Sequence, residues 1–297
     1  MSDQSAQKQI GAYQAELCAI AAVPVADLHA LSLSHGWPHR EEDWLRLLEI
    51  GAGLAARDEI GRVLGTAMWF PASDDHATIG MTLTSPRLQG EGLARWLTEG
   101  VLAQAGPRTA RLQTAWTAQR LYLSLGFLPR RMVVQHQGIV TLAATRPPPA
   151  IDAEIRPLTG PLDPALLDLD RAAFGAPRPA VLGAVLEQST GVGLWRKGRL
   201  TAFALCRPFG RGHVIGPVVA HDDADAIAVT WPCLAAQAGR FVRLDTYQEQ
   251  GSFVALLEAT GLTRVDTLLT MTRGGDPFAA AVPGAPASYG LASHALC

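Results

Sequence analysis

The run Gln89-Gly90-Glu91-Gly92-Leu93-Ala94 sets two glycines between an alternating segment and an amphipathic one. A small-residue loop that closes into a helix leaves the N–H groups of the first turn without partners and pointing one way. With the helix dipole, those donors make an anion site suited to a phosphate or pyrophosphate. The run is neither a P-loop, which needs Lys-Ser/Thr after its last glycine, nor a dinucleotide fingerprint, which needs Gly-x-Gly-x-x-Gly and a downstream acid. The competing reading is a tight strand-to-helix turn whose glycines serve geometry alone. A second chemically capable group lies in Ala118–Pro129, where Tyr122 offers a phenol that stays protonated at neutral pH. Leu121 and Leu125 lie four apart on a short predicted helix, and Gly126 stands where a left-handed C-cap is needed. Taken alone, a tyrosine on such a helix reads as packing.

The flanking elements position both groups. Ile79, Met81 and Leu83 alternate with Thr78, Gly80, Thr82 and Thr84, the period of a half-buried strand. Pro86 ends that ladder because it has no N–H to donate. Leu93, Leu97 and Val101 recur every four residues and share one helical face. Arg111–Trp116 supplies a further strand between the loop and the Tyr122 segment.

The loop pattern, Gln/Arg-x-x-Gly-x-Gly/Ala after a strand, read as Gln89, Gly92 and Ala94, resembles the pyrophosphate loop of the GCN5-related N-acetyltransferases (GNAT). The later Leu121-Tyr122 with Gly126-Phe127 resembles the Leu-Tyr-x-x-x-Gly-Phe element of the same family. The resemblance implies an α/β fold with a mostly antiparallel mixed sheet flanked by helices, and acetyl-CoA as co-substrate. It implies cofactor contacts from Met81, Thr82 and Leu83 on the incoming strand, from Gln89, Gly90, Glu91, Gly92, Leu93 and Ala94 in the loop, and from Ala118 and Tyr122. It also implies that Tyr122 donates a proton to the departing thiolate. Several relatives carry a glutamate on the strand before the loop, whereas this strand holds only Thr, Ile, Gly, Met and Leu. Direct general-base catalysis from that place is therefore in doubt.

Composition bounds the rest. A chain of 297 residues exceeds one ordinary core, and 48% hydrophobic residues exclude a disordered protein. A net charge of −2 gives no basic field, so nucleic acid is not an expected partner. Met1–Lys8 lacks the basic-then-apolar order of a signal peptide, and Pro24, Asp27 and His29 interrupt the apolar stretch Leu17–Leu33, so no membrane segment is expected. Cys18, Cys206, Cys233 and Cys297 are scattered without ligand spacing, which fits a reducing cytoplasm and no metal site.

Arg146-Pro147-Pro148-Pro149-Ala150 reads as a stiff linker near the midpoint. It divides the chain into residues 1–145, a connection at 146–152, and residues 153–297. Gly53-Leu54 with Gly61-Arg62 is echoed by Gly193-Leu194 with Gly198-Arg199, and Ile79-Gly80 by Ile215-Gly216. Arg111-Leu112-Gln113-Thr114 is echoed by Arg243-Leu244-Asp245-Thr246, and Gly126-Phe127 by Gly261-Leu262. Four echoes in one order at a nearly constant offset indicate a duplicated α/β unit, each copy ending in helix, strand, helix and a strand pair. With the resemblance of the first copy, this implies two tandem GNAT-like domains. The second copy differs chemically. Where the first has its glycine loop, the second reads Ala220-His221-Asp222-Asp223-Ala224-Asp225, whose carboxylates would repel a pyrophosphate. Leu257 stands in the place of Tyr122, and Gly210-Arg211-Gly212 reads as a hairpin turn. A final apolar segment, Tyr289–Leu296, follows an Ala/Pro-rich connection.

The richest polar-aromatic cluster is His35–Trp44. Trp37 and Trp44 could form an apolar wall for an acceptor, with His39 or Glu41 orienting an amine. Equally, Glu41 and Glu42 could serve the dipole of a helix N-terminus. Asp74, Asp75 and His76 before the strand, and Asp245, Tyr247 and Glu249 at the end of the second crossover strand, read as solvated. The expected function is acetyl transfer from acetyl-CoA to a primary amine of a small molecule, peptide or protein, by a monomer or homodimer. Alternatives are a non-catalytic acyl-CoA sensor and an aminoacyl or peptidoglycan-precursor transferase on a paired fold of this kind.

Overall fold

The computed structural model describes residues 7–142, 152–275 and 284–297. All but Asp152 of the proline-rich connection at 146–152, and much of the Ala/Pro-rich stretch before Tyr289, lie outside them. By compactness the chain forms two units, Met1–Ala110 and Arg111–Cys297.

The first unit contains β1 (Gln7–Ile10), β2 (Tyr13–Ala19), β3 (Ala52–Arg57), β4 (Val63–Pro71) and β5 (His76–Thr84), each antiparallel to the next. Helices α1 (Val25–Ser34) and α2 (Glu41–Ile50) separate β2 from β3, and α3 (Leu93–Ala105) follows β5. Strand β1 was not foreseen, because Gln7-Lys8-Gln9-Ile10 has no alternation and is paired only through the Gly11 turn. The four-residue spacing of α3 does what it implies. Leu93, Leu97 and Val101 are buried, and a Cβ on Gly100 would meet Leu54 Cδ1 at 2.4 Å. A side chain there would have to turn the Leu54 methyl aside for α3 to lie that close to the sheet.

The second unit opens with β6 (Thr109–Thr114), which crosses the division, followed by α4 (Gln119–Ser124) and β7 (Leu128–Ile139). Next come β8 (Glu154–Leu158), α5 (Pro164–Phe174), α6 (Pro179–Glu187), β9 (Thr190–Arg196), β10 (Arg199–Phe209) and β11 (Gly212–Ala220). The chain continues through α7 (Asp223–Ala236), β12 (Phe241–Thr246), α8 (Ser252–Ala259), β13 (Thr263–Arg273) and β14 (Ala287–Gly290). The strands run β13-β7-β12-β11-β10-β9-β8, with β14 added to β11. All neighbours in this run are antiparallel except β11 and β12, the parallel pair joined by the α7 crossover.

The two ways of dividing the chain cut it at different places. Strand β7 comes before the proline-rich connection, yet it is hydrogen-bonded on both sides to later strands, β12 and β13. A single twelve-residue strand stands where a terminal strand pair was expected for the earlier half. Beside β13, Gln113 of β6 accepts from the Thr270 hydroxyl at 2.8 Å and donates to the Tyr247 hydroxyl at 3.3 Å. The Arg111 and Arg178 guanidinium groups lie 4.2 and 4.0 Å from the centroid of the Phe174 ring, at the end of α5.

The tandem repeat is visible in backbone detail. In α4, Phe127 N–H donates to the Tyr122 carbonyl and Gly126 N–H to that of Leu123; in α8, Leu262 donates to Leu257 and Gly261 to Glu258. Both glycines are left-handed, at φ 82° and 88°, so each helix ends in the same Schellman cap. Tyr122 and Leu257 occupy one position of that cap. Gly210-Arg211 forms the two-residue turn between β10 and β11, as read from the sequence.

Asp245 and Tyr247 correct the expectation of solvated residues. Asp245 is fully buried and bidentate to Arg243, with His294 at 3.3 Å, while Tyr247 is packed under Arg131. Burial alone would raise the Asp245 carboxyl, but Arg243 and then His294 hold it well below the usual carboxylate range. A depressed folded-state value means its stabilisation is full above the unfolded-state value of about 4 and is lost as pH falls towards the folded one. Asp245→Asn strands the Arg243 charge and should cost ~3–5 kcal/mol at pH 7. Guanidinium unfolding at pH 7 and pH 3 should show a smaller pH dependence in the variant; wild-type stability at pH 7 would contradict the assignment.

Candidate functional site

The loop between β5 and α3 is built for close approach. Pro86–Leu88 forms a short 3₁₀ turn, and Gly90 and Gly92 then take left-handed conformations at φ 89° and 79°. Gly92 is the N-cap of α3 and supplies no side chain to cap it. A Cβ at either glycine would meet nothing within 4 Å, so both face open space. Glu91 N–H is used by the Leu88 carbonyl, and the first intrahelical bond is Trp96 N–H to Gly92 O. Among the described residues, the N–H groups of Gln89, Gly90, Gly92, Leu93 and Ala94 have no protein acceptor. The Glu91 side chain lies near the Gly11 turn, where a Cβ on Gly11 would stand 3.8 Å from its Cγ.

The strand leading to the loop departs from simple alternation. The register of β4 and β5 passes from Thr66↔Leu83 to Met68↔Gly80, so β5 carries one extra residue. Met81 takes φ 51°, a left-handed value costly for a non-glycine residue. The Thr66 hydroxyl donates to the Met81 carbonyl at 2.8 Å and pins this bulge. Beside it the Thr82 Oγ1 is buried with no partner among the described residues, while Leu83 is back in the core. Alternation of Ile79, Met81 and Leu83 gave no sign of a bulge, since all three are buried on either reading. A bulge next to a donor loop and an unpartnered hydroxyl are the marks of a ligand site.

The aromatic cluster separates into core and surface. Trp44 is fully buried and donates to the Ser32 hydroxyl at 3.3 Å, so it is core and not an acceptor wall. Trp37 is 37% exposed, and the half-buried His39 ring lies between it and Trp44 at 5.5 and 6.4 Å. Glu41 opens α2 and faces His29 Nδ1 at 3.6 Å, while Asp43 accepts from Arg40 N–H at 2.9 Å to cap the helix. His35, missed in the sequence, has its Nε2 2.6 Å from the Thr84 carbonyl. A carbonyl only accepts, so Nε2 carries the proton and ties the end of α1 to the last residue of β5. His76 begins β5, with Asp74 and Asp75 in the bend just before it, about 26 Å along an extended strand from Thr84.

Tyr122 belongs to the second unit. It is buried on α4 and packs edge-on against Phe127, with centroids 5.8 Å apart. Ala118 ends the 3₁₀ turn Trp116–Ala118 and is the N-cap residue of α4. In the repeated half, acids fill the corresponding place. Asp222 caps α7 by accepting from Asp225 N–H at 2.9 Å; Asp223 accepts from Ser252 Oγ and Phe253 N–H at the start of α8; and Asp225 is bidentate to Arg196. The described residues hold no cluster of three or more His, Cys, Asp or Glu placed for a metal ion, and no helix among them is long and apolar enough to cross a membrane.

Comparison with known proteins agrees with this geometry. A model of the acetyltransferase (GNAT) family matches residues 24–127, and one of the acetyltransferase (GNAT) domain matches residues 166–282. The chain is a tandem two-domain member of the GNAT acetyltransferase superfamily. A solved putative acetyltransferase from Pyrococcus horikoshii is similar over 95% of this chain and 96% of its own, at TM-score 0.76 and 18% identity. A tandem GNAT protein of the clavulanic acid biosynthesis pathway is similar over 88% and 99%, at TM-score 0.62 and 16% identity. A GCN5-related N-acetyltransferase from Sphaerobacter thermophilus is similar over 86% and 95%, at TM-score 0.61 and 17% identity. No curated protein matches the chain.

If the open N–H groups hold a pyrophosphate, Gly92→Asp should raise the Kd for acetyl-CoA more than about tenfold, a loss above ~1.4 kcal/mol. That exceeds the ~0.3–1 kcal/mol of a helix-end charge alone. Gly92→Ala controls for the strain of a side chain at this φ, and calorimetry reads both. Wild-type affinity in Gly92→Asp would move the ligand elsewhere.

Proposed function

We propose that the chain is an acyl-CoA-dependent N-acyltransferase that moves an acetyl group from acetyl-CoA to a primary amine of a small molecule, peptide or protein. The observation that supports this best is the row of open N–H groups from Gln89 to Ala94 at the start of α3. The co-substrate supplies a thioester; the chain's residues bind it, orient it and handle protons. The loop donors and the helix dipole hold the pyrophosphate. The bulge at Met81 releases backbone from the ladder, and the Thr82 hydroxyl is a further donor for the bound ligand.

In the reaction the amine nitrogen forms a bond to the thioester carbon, the carbon–sulfur bond breaks, and the amine's proton passes to a base or to water. An amine of pKa about 10.4 must lose its proton before attack. No ionisable side chain lies on β5 between Ala77 and Thr84, so the acceptor is prepared from another element, with Trp37, His39 and Glu41 assigned to that side. An acyl-enzyme is disfavoured, because burial pushes the Cys206 thiol up to about 11 and the Cys233 thiol higher still. Tyr122 is the general acid that protonates the departing thiolate, whose parent thiol has a pKa near ~8.5. The cytoplasm is the compartment that fits this chemistry, and the second half binds no cofactor of its own.

Tyr122→Phe keeps the ring against Phe127 and removes only the proton. Turnover should fall by roughly 10²-fold with acetyl-CoA affinity little changed; a fall below about threefold would make Tyr122 a packing residue. A thiol-release assay over an amine library, run beside calorimetry, should give turnover and one acetyl-CoA per chain. Binding without release against every amine would instead favour a sensor, the reading supported by the missing acid on β5.

A further inference from the structure

Parallel strands joined by a crossover helix leave a crevice at their C-terminal ends, the usual ligand position of such sheets. In the repeated half this crevice lies between β11 and β12, which are paired only at His213↔Val242 and Val214↔Arg243 before they part. It is filled by the chain's own residues 287–297. Strand β14 pairs with β11 at Val218↔Gly290, Val219↔Ser288 and Ala220↔Ala287, and across the gap Leu291 N–H donates to the Asp245 carbonyl at 2.8 Å.

The filling is a fitted one. Buried Arg207 donates to the Ala292 carbonyl at 2.7 Å, and buried Arg178 to those of Leu296 and Cys297 at 2.9 and 2.6 Å. Arg178 is itself held by a bidentate pair with buried Asp170. His294 joins Arg243 and Asp245, and the Tyr289 hydroxyl donates to Asp223 at 3.1 Å. A Cβ on Gly216 of β11 would stand 1.9 Å from the Leu291 carbonyl oxygen, so only glycine admits the segment. Leu291, Ala292, Leu296 and Cys297 are almost wholly buried.

We propose that this crevice is a peptide-binding groove whose ligand is the chain's own 287–297 segment, held by strand addition and by Arg178, Arg207 and the Asp245 carbonyl. The groove takes extended main chain and not acyl-CoA. Its nearest helix starts, at α7 and α8, are already occupied by Asp222 and Asp223. The inference goes beyond the catalytic reading and does not depend on it, since no arm of its test uses turnover.

The test cuts the full chain after folding. Gly284 is exposed, so a protease site is inserted there and cleaved in the native protein. The released segment should co-elute with the body on gel filtration, and excess labelled synthetic peptide of residues 285–297 should exchange into the groove. Saturating acetyl-CoA should displace neither. Gly216→Ala should speed loss of the cut segment at least tenfold. Loss of the segment on cleavage alone, failure of the peptide to exchange, or displacement by acetyl-CoA would each overturn the proposal. If Gly216→Ala does not fold, the exchange and displacement arms on the unmutated cut chain decide it.

Discussion

A helix cannot satisfy the N–H groups of its own first turn, and this chain meets that constraint in two opposite ways. At α3 the donors are left open beside two left-handed glycines with free space around them. At α7, the repeated position, Asp222 accepts from Asp225 N–H, and at the start of α8 Asp223 accepts from Phe253 N–H. One copy of the fold thus keeps an open, electropositive helix start, and the other fills it with its own carboxylate. A handful of residues separates the two copies of one fold at this position.

The second unit is not built from the later sequence alone. Strand β7, from the earlier half, stands between β12 and β13, and Gln113 of β6 is hydrogen-bonded to Thr270 and Tyr247. Arg178 touches the 287–297 segment, Asp170 and the face of Phe174, and Phe174 in turn lies under Arg111 of β6. Strand β6 leads directly to α4 and Tyr122. Packing that fixes the segment therefore also braces the strand that leads to the proposed acid.

Much of this was legible in the sequence where the signal is local. Four-residue spacing marked α3, glycine placement marked the cap at Gly126 with its echo at Gly261, and the two glycines marked the loop. The features that escaped are set by pairing across the chain. The Met81 bulge depends on Thr66, fifteen positions away, and leaves the apolar alternation intact. Asp245 looks solvated from its neighbours and is buried because Arg243 and His294 meet it. Trp44 reads as a wall beside Trp37, yet its indole is anchored to Ser32 inside the core. The insertion of β7 between later strands follows from no local pattern at all, since strand order is a choice among partners of similar apolar character.

The central claim, that one acyl-CoA per chain rests on the open donors before α3, is tested most directly by amide chemical shifts in a labelled protein titrated with acetyl-CoA. The account predicts that the N–H resonances of Gln89, Gly90, Gly92, Leu93 and Ala94 move together and saturate at one equivalent, while those of Asp222–Asp225 stay in place. Shifts centred on Asp222–Asp225, or a loop that does not respond at saturation, would contradict it.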